Sequence, residues 1–459
     1  MRTFVLILAA SSLLSAQVKL PPYTRQVLPN GMTVNLMKRP GVPLVEFTLS
    51  VRGGDESDPA GMAGLNSMTA TLLRRGTKSR TADQFSEQLD GLGGTFGAFT
   101  QTGNPSTTIS AGFLIKDLAL GLDLLSDAVL NPTFPEAEVK KTLAQRIDGL
   151  KATKDNPGAA NSLYFRALFY GPNHPYGQIP TEATISKIDR KALVDNHQKL
   201  YCGRNLILTV AGDFDPQQTL EAVKKAFGNA PAGTAYTPVK DAKPEAGARL
   251  LLVDKPDATQ TYFIIGMPGV PRNNPDRFKL QVLNTLFGGR FTSILNDELR
   301  VNTGLTYGAN SAVERQRLPG AIYISTFTKT DSTEKAMDTA LELLKKFNEK
   351  GINAEQLLSA KNYIKGEYPP RNLETSGQLA AILNDIELNG LSKGEVDDFF
   401  SGIDSVTVDQ ANETAKKYYT PSSLTFSVLG NAAKIKPFIN KYSPKVMEVE
   451  WKTPGYPTH

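Results

Sequence analysis

The sequence predicts an α+β protein of two homologous halves, each a mostly antiparallel sheet with helices packed on one face. Three observations carry this. The first is an internal repeat: "VEFTLSVRGG" (Val45 to Gly54) lies over "QTYFIIGMPG" (Gln260 to Gly269), and at the same offset "GLNSMTATLLRRGT" lies over "KLQVLNTLFGGRFT". Further on, "QKLYCGRNLILTVAGD" matches "KKYYTPSSLTFSVLGN" with the offset changed by a few residues. Copies of one unit explain such a pattern. The second is the order within each half, where alternating strands come first, then helices, then a strand closing at Gly212 or Gly430, without a strict βαβ rhythm. The third is "APAGTAYTPVKDAKPEAGA" (Ala230 to Ala248), rich in Pro, Gly and Ala and without apolar periodicity, which reads as the connection between the halves.

Taken in order, residues 1–16 read as a secretory signal. Arg2 precedes an apolar run from Phe4 to Leu14 and small residues follow to Ala16, a run too short for a membrane span. No cysteine follows it, and no later segment is apolar for long enough to cross a bilayer, so the expectation is an exported protein, periplasmic or secreted. The first half is placed at 17–235, the linker proper at 236–248 and the second half at 249–459. Local grammar is clear in "TADQFSEQLDGLGGTFGAFT". Thr81 or Asp83 starts a helix whose apolar face carries Phe85, Leu89 and Leu92, and Gly93 and Gly94 stop it before a strand at about Phe96 to Thr100.

Composition narrows the function. The net charge of +5 is spread among acids rather than clustered, which speaks against a nucleic-acid surface. Cys202 is the only cysteine, so no internal disulfide can form and the residue reads as core packing. The three histidines, His174, His197 and His459, are nowhere paired at helical spacing. His174 lies in the turn-forming "YGPNHPYGQ" and reads as a capping or packing residue.

Four stretches, "GLNSMTATLLRRGT", "LDGLGGTFGAFT", "NHPYGQIPTEATISKI" and "LILTVAGDFDP", resemble the pitrilysin/insulinase family of zinc peptidases in order and spacing. "VLNTLFGGRFTSILNDELRVNTGLTYGANS" continues the likeness, which runs from about Val27 to about Lys441. Family members that cleave peptides carry an inverted motif, H-x-x-E-H, on the first of these helices, two histidines binding zinc and the glutamate activating water. Here those positions are Ser67, Ala70 and Thr71. The family's third ligand, a glutamate on a later helix, falls within "TLAQRIDGL", where Ala144 to Arg146 contain no carboxylate. The nearby Glu136 and Glu138 read instead as the acidic start of a helix.

In "ELRVNTGLTYG" the resemblance puts Arg300 and Tyr307 on the arginine and tyrosine that active members use opposite the zinc, to bind the substrate backbone and stabilise the oxyanion. It also makes Gly94, Thr95, Phe96, Gly97 and Ala98 candidates for a strand edge that pairs with an extended substrate. Gly288 and Gly289 read as a helix break permitting close packing. Some bacterial members divide the work between two chains enclosing a chamber, one bearing H-x-x-E-H and the other only the arginine and tyrosine. The chain is similar to the second kind. The resemblance therefore implies a zinc-less subunit acting on peptides in a heterodimer, with no cofactor of its own and zinc in the partner. The alternative is an assembly, scaffold or peptide-binding protein with no part in hydrolysis, since fold alone does not decide function.

Overall fold

A computed structural model describes residues 18–100, 103 and 105–458; the segment read as a signal lies outside them. The first half contains β1 (Thr24–Val27), β2 (Thr33–Lys38), β3 (Leu44–Arg52), β4 (Thr95–Phe99), β5 (Ser106–Leu114) and β6 (Leu206–Gly212), in the spatial order β1-β2-β6-β3-β5-β4. The second contains β7 (Arg249–Asp254), β8 (Gln260–Pro268), β9 (Ala309–Arg315), β10 (Pro319–Lys329), β11 (Thr425–Gly430) and β12 (Val446–Glu450), ordered β12-β7-β11-β8-β10-β9. Pairing is mostly antiparallel, with β2 and β6 parallel in the first sheet and β7 parallel to both β11 and β12 in the second. The repeat is thus visible as geometry: β3 and β8 are each nine residues long, and β4 and β9 each form one edge. The sheets differ at the opposite edge, where β1 runs antiparallel to β2 but β12 runs parallel to β7.

Each sheet packs one face on helices of its own half, giving two large apolar cores around Phe47, Leu49 and Leu208 in the first and Phe263, Ile265 and Val428 in the second. The other face of each sheet is covered by a helix from the opposite half. Ser376–Asn389, in the second half, lies on β3 and β6, where Leu379, Ala380 and Leu383 meet Met37 and Ala211. Reciprocally, Pro157–Tyr170 lies on β8 and β11, where Ala160, Tyr164 and Leu168 meet Leu251, Val253 and Leu429. This exchange explains why every residue of β6 (LILTVAG) and β11 (TFSVLG) is buried, since a one-sided sheet would alternate between buried and exposed positions.

Burial on both faces leaves Thr209 of β6 and Ser427 of β11, equivalent positions of the repeat, without access to water, and each finds an asparagine of the exchanged helix. The Thr209 hydroxyl donates to Asn384 Oδ1 at 2.5 Å, and Asn384 Nδ2 reaches the Thr48 carbonyl at 2.9 Å, Ser50 Oγ at 3.1 Å and the Ile207 carbonyl at 3.2 Å. The Ser427 hydroxyl donates to Asn161 Oδ1 at 2.7 Å. Charged groups close the seam at its rim: Arg317 pairs with Glu56 at 2.7 Å, and Arg166 and Tyr170 both bond Glu314. No regular helix or strand occurs between the helix ending at Phe227 and β7, and Tyr236 of this connection packs on the first core.

Removing one buried partner while leaving the others unsatisfied costs about 1–3 kcal/mol per group. Asn384→Ala is therefore expected to lower stability by roughly 2–4 kcal/mol. Because the mutated helix belongs to one half and its partners to the other, denaturant midpoints read from Trp451 fluorescence in the second half and from amide exchange of β6 in the first should fall together.

Candidate functional site

The helix Leu65–Leu72 is set by the segment before it. Asp58 accepts from the Gly64 amide at 2.6 Å, the Asn66 amide at 2.9 Å and Asn66 Nδ2 at 2.7 Å, so a carboxylate satisfies backbone N–H groups at the helix start, where negative charge is favoured. Gly64 has φ +100°, and a Cβ there would lie 2.5 Å from Ile185 Cδ1, so the turn and the close approach both require glycine. On the inner side of the helix Asn196 donates to Asn66 Oδ1 at 3.0 Å and Thr69 Oγ1 at 3.1 Å. This network locks the helix to Arg190–Leu200 and fixes which positions turn outward.

The positions that the family motif would occupy offer little to a metal. Ser67 is half-buried, Ala70 is buried and carries only a methyl group, and exposed Thr71 donates its hydroxyl to the Ser67 carbonyl at 2.9 Å within the same helix. The neighbouring helix Glu136–Asp155 packs against this one through Leu143 and Ile147, with Ala144, Gln145 and Arg146 exposed. Two imidazoles and two carboxylates would be needed for the bound zinc and its activated water. The set present is two hydroxyls, two methyls, an amide and a guanidinium, which does not fit a zinc ion. Among the described residues no group of three or more His, Cys, Asp or Glu could hold a metal ion. Glu136 and Glu138 fall in the first turn of their helix.

The other singled-out residues of this half are structural in their surroundings. His174 is buried, accepts from the Tyr176 amide through Nδ1 at 3.0 Å, and burial holds its pKa down to about 4. His197 faces the Val129 carbonyl at 2.8 Å, so its Nε2 carries the proton, and burial again lowers it to about 4. Cys202 is buried, which raises its thiol pKa. The candidate edge is a true edge: β4 pairs only with β5, from Thr95 opposite Gly112 to Phe99 opposite Thr108. Phe96 points into the core against Phe85, whereas Thr95 and Gly97 are exposed and Gly94 and Ala98 intermediate. The strand adjoins the Leu65–Leu72 helix.

In the second half, Arg300 and Tyr307 stand on a frame fastened from beneath. The Leu305 and Thr306 amides donate to the Leu299 carbonyl at 2.8 and 3.1 Å, linking the two positions through one buried residue. Thr326, on β10, donates to Thr306 Oγ1 at 3.1 Å or the Gly308 carbonyl at 2.8 Å, and the Thr328 hydroxyl holds the Leu305 carbonyl at 2.6 Å. Arg300 occupies a π-helical turn, Asp297–Asn302, and its guanidinium lies 4.7 Å from the centre of the Phe291 ring. Gly288 permits the frame, because a Cβ there would lie 2.3 Å from the Ser311 amide of β9. Against these buried neighbours Tyr307 is 77% exposed, with Phe291 at 63% and Val301 at 64%. A rigid loop displaying aromatic and apolar groups around a cation has the character of a binding surface. No hydrogen bond, ion pair or ring contact among the described residues joins this group to the Ser67 helix.

Sequence reasoning missed the acidic knot of Asp55, Glu56 and Asp58 and the apolar companions Phe291 and Val301. The run "GGDESD" was visible, but Asp58 acts on Asn66, eight residues away, and Glu56 on Arg317 in the second half, both outside any short capping pattern. Burial pushes Asp55 up to about 6 and raises Asp58 as well, the latter also through the charge of Asp55.

The architecture is a two-half α+β clam shell, and the Leu65–Leu72 helix offers no metal-binding set among the described residues. The family descriptions agree. Residues 33–168 match "Insulinase (Peptidase family M16)" and residues 187–364 match "Peptidase M16 inactive domain". An uncharacterized zinc protease of Mycobacterium leprae is 28% identical over 395 residues, covering 85% of this chain and 88% of that protein. Another, from Rickettsia felis, is 26% identical over 410 residues, covering 88% and 96%. Among solved structures, a peptidase M16 inactive domain from Pseudomonas fluorescens superposes with a TM-score of 0.82 at 22% identity, covering 89% of this chain and 98% of that one. A protease from Helicobacter pylori gives 0.81 at 21%, covering 90% and 100%. The chain belongs to the pitrilysin/insulinase family, as a member of its inactive type.

Two outcomes follow. Arg300→Ala and Tyr307→Phe should leave the thermal midpoint unchanged, whereas Thr326→Val should cost about 1–2 kcal/mol and speed amide exchange across residues 303–308. For Asp55 the folded pKa lies above the unfolded one, so its contribution to stability is complete below about pH 4 and lost as pH rises through about 6. Asp55→Asn should therefore gain stability relative to the unmodified chain as pH is raised from 4 to 7 in parallel melts.

Proposed function

We propose that this chain is the non-catalytic subunit of an exported zinc peptidase. A homologous partner carrying H-x-x-E-H supplies the metal and the activated water, and this chain supplies Arg300 and Tyr307 to the same site. The observation that carries the reading is the contrast between the halves: donors are gone from the helix where the family binds zinc, while Arg300 and Tyr307 are held outward on a braced frame that has no structural use for their polar ends. In the pair, the guanidinium and phenol would donate to the substrate backbone and to the oxyanion formed when water adds to the peptide carbonyl. The free edge of β4, from Gly94 to Ala98, would offer backbone groups to an extended peptide. The likeness to relatives described as zinc proteases supports a place in peptide hydrolysis, and peptides are the expected substrates.

The test is co-expression with an H-x-x-E-H homologue from the same genome and assay on a quenched fluorescent peptide library. Activity should appear only in the pair. Arg300→Ala or Tyr307→Phe should cut kcat/KM by about 10²–10³, the cost of losing one oxyanion donor, while the pair still forms. A stable pair whose activity ignores both substitutions would make this chain a scaffold.

A further inference from the structure

The second half contains a cavity of about 530 Å³ between the helix Arg277–Asn284, the edge strand β9 and the helix Ala354–Asn372. By the internal repeat this is the counterpart of the place in the first half between the Leu65–Leu72 helix, edge strand β4 and helix Glu136–Asp155: Gln281, Asn284 and Thr285 stand at the positions of Asn66, Thr69 and Ala70. In the first half that place has lost its chemistry. In the second it is lined by Gln281, Asn284, Arg315, Glu367, Tyr368 and Arg371, among others.

The charges around it do not balance. Arg272, Arg277 and Arg315 cluster with only two carboxylates, Asp385 and Glu395. Arg272 is bonded to Asp385 and lies 3.8 Å from Glu395, and Arg277 lies 3.4 Å from Glu395. Glu367, on the cavity wall, is engaged by Arg371 at 2.6 Å and the Tyr363 hydroxyl at 3.0 Å. The surplus positive charge falls on Arg315, which takes part in no ion pair among the described residues. Its one hydrogen bond there is a long one, to Gln281 Oε1 at 3.4 Å. Burial, and then Arg272, push its pKa below the ordinary arginine value, as expected of a desolvated cation lacking a counter-charge. Beside it Tyr368 stacks on Phe399 with ring centres 3.8 Å apart, giving the cavity a flat aromatic wall.

We propose that this cavity binds an organic carboxylate, the Arg315 guanidinium receiving the carboxylate and the Tyr368–Phe399 wall receiving the body of the ligand. A guanidinium presents paired donors that match a planar carboxylate, and the volume holds a ligand the size of a short peptide end rather than an ion alone. The source of the carboxylate is either a peptide C-terminus or a free carboxylic acid. This inference does not rest on Arg300, Tyr307 or a partner chain.

The experiment uses the whole chain alone and calorimetric titration with three probes: N-acetyl-alanyl-alanine, its C-terminal amide, and acetate. The acid is expected to bind, and the amide about tenfold or more weaker, the effect of losing a charge-assisted hydrogen bond. Acetate as strong as the dipeptide acid would assign the site to free carboxylates; much weaker acetate would assign it to peptide ends. Arg315→Gln should weaken the acid by a similar factor. Gln281→Glu, which sets a carboxylate beside Arg315 from within the chain, should abolish binding while raising the thermal midpoint, and Arg300→Ala should change nothing. Failure of the acid to bind, equal binding of acid and amide, or unchanged binding in folded Arg315→Gln or Gln281→Glu protein would each overturn the proposal.

Discussion

Two buried hydroxyls, Thr209 and Ser427, occupy equivalent places in the repeat, and each donates to an asparagine from the other half, Asn384 and Asn161. That reciprocity is the constraint on which the rest depends. A six-stranded sheet with helices of its own on one face would leave the other face open. Here the open face of each is closed by a helix lent from its neighbour, so neither sheet is complete alone. Apolar area supplies the driving force for the exchange, and the two asparagines fix its register, because a buried amide that slips one turn loses several partners at once. Rim pairs such as Arg317–Glu56 and Arg166–Glu314 add direction to a seam already set.

A rigid seam gives the surface loops something firm to stand on. The frame beneath Arg300 and Tyr307 is built from β10 hydroxyls and the Leu299 carbonyl, and β10 is anchored in turn to β8, which lies under the exchanged helix Pro157–Tyr170. The halves have diverged on this common scaffold. The first keeps a capped helix, set by Asp58, Asn66 and Asn196, whose Ser67, Ala70 and Thr71 offer no metal-binding set. The second has widened a helix into a π-helical turn and turned its polar side chains outward.

Much of this was legible before any coordinate. The repeat, the strands ending at Gly212 and Gly430 and the acid-rich start of Glu136–Asp155 were readable, because periodicity and spacing are local properties of the chain; Ser67, Ala70, Thr71, Arg300 and Tyr307 were singled out only through the family resemblance. The exchange of helices was not. "PGAANSLYFRALFY" and "SGQLAAILNDIELN" each read as helices, but nothing in their periodicity says which sheet they cover; the hint was a buried hydroxyl, Thr209 or Ser427, within each mostly apolar strand. The acidic knot was missed because its carboxylates act beyond the reach of a short capping pattern. Arg315 was missed because its lack of a counter-charge depends on Arg272, Arg277, Asp385 and Glu395 converging from three separate segments.

On the proposed reading, this chain contributes to peptide hydrolysis by presenting Tyr307 and Arg300 to a substrate held against another chain's metal. The most direct measurement places a photoreactive benzophenone amino acid at Tyr307 in the assembled pair, with a labelled peptide and the partner's catalytic glutamate replaced to stop turnover. Irradiation is expected to attach the peptide to this chain, and only when the partner is present. Attachment to the partner chain alone, or none while the peptide is demonstrably bound, would contradict it.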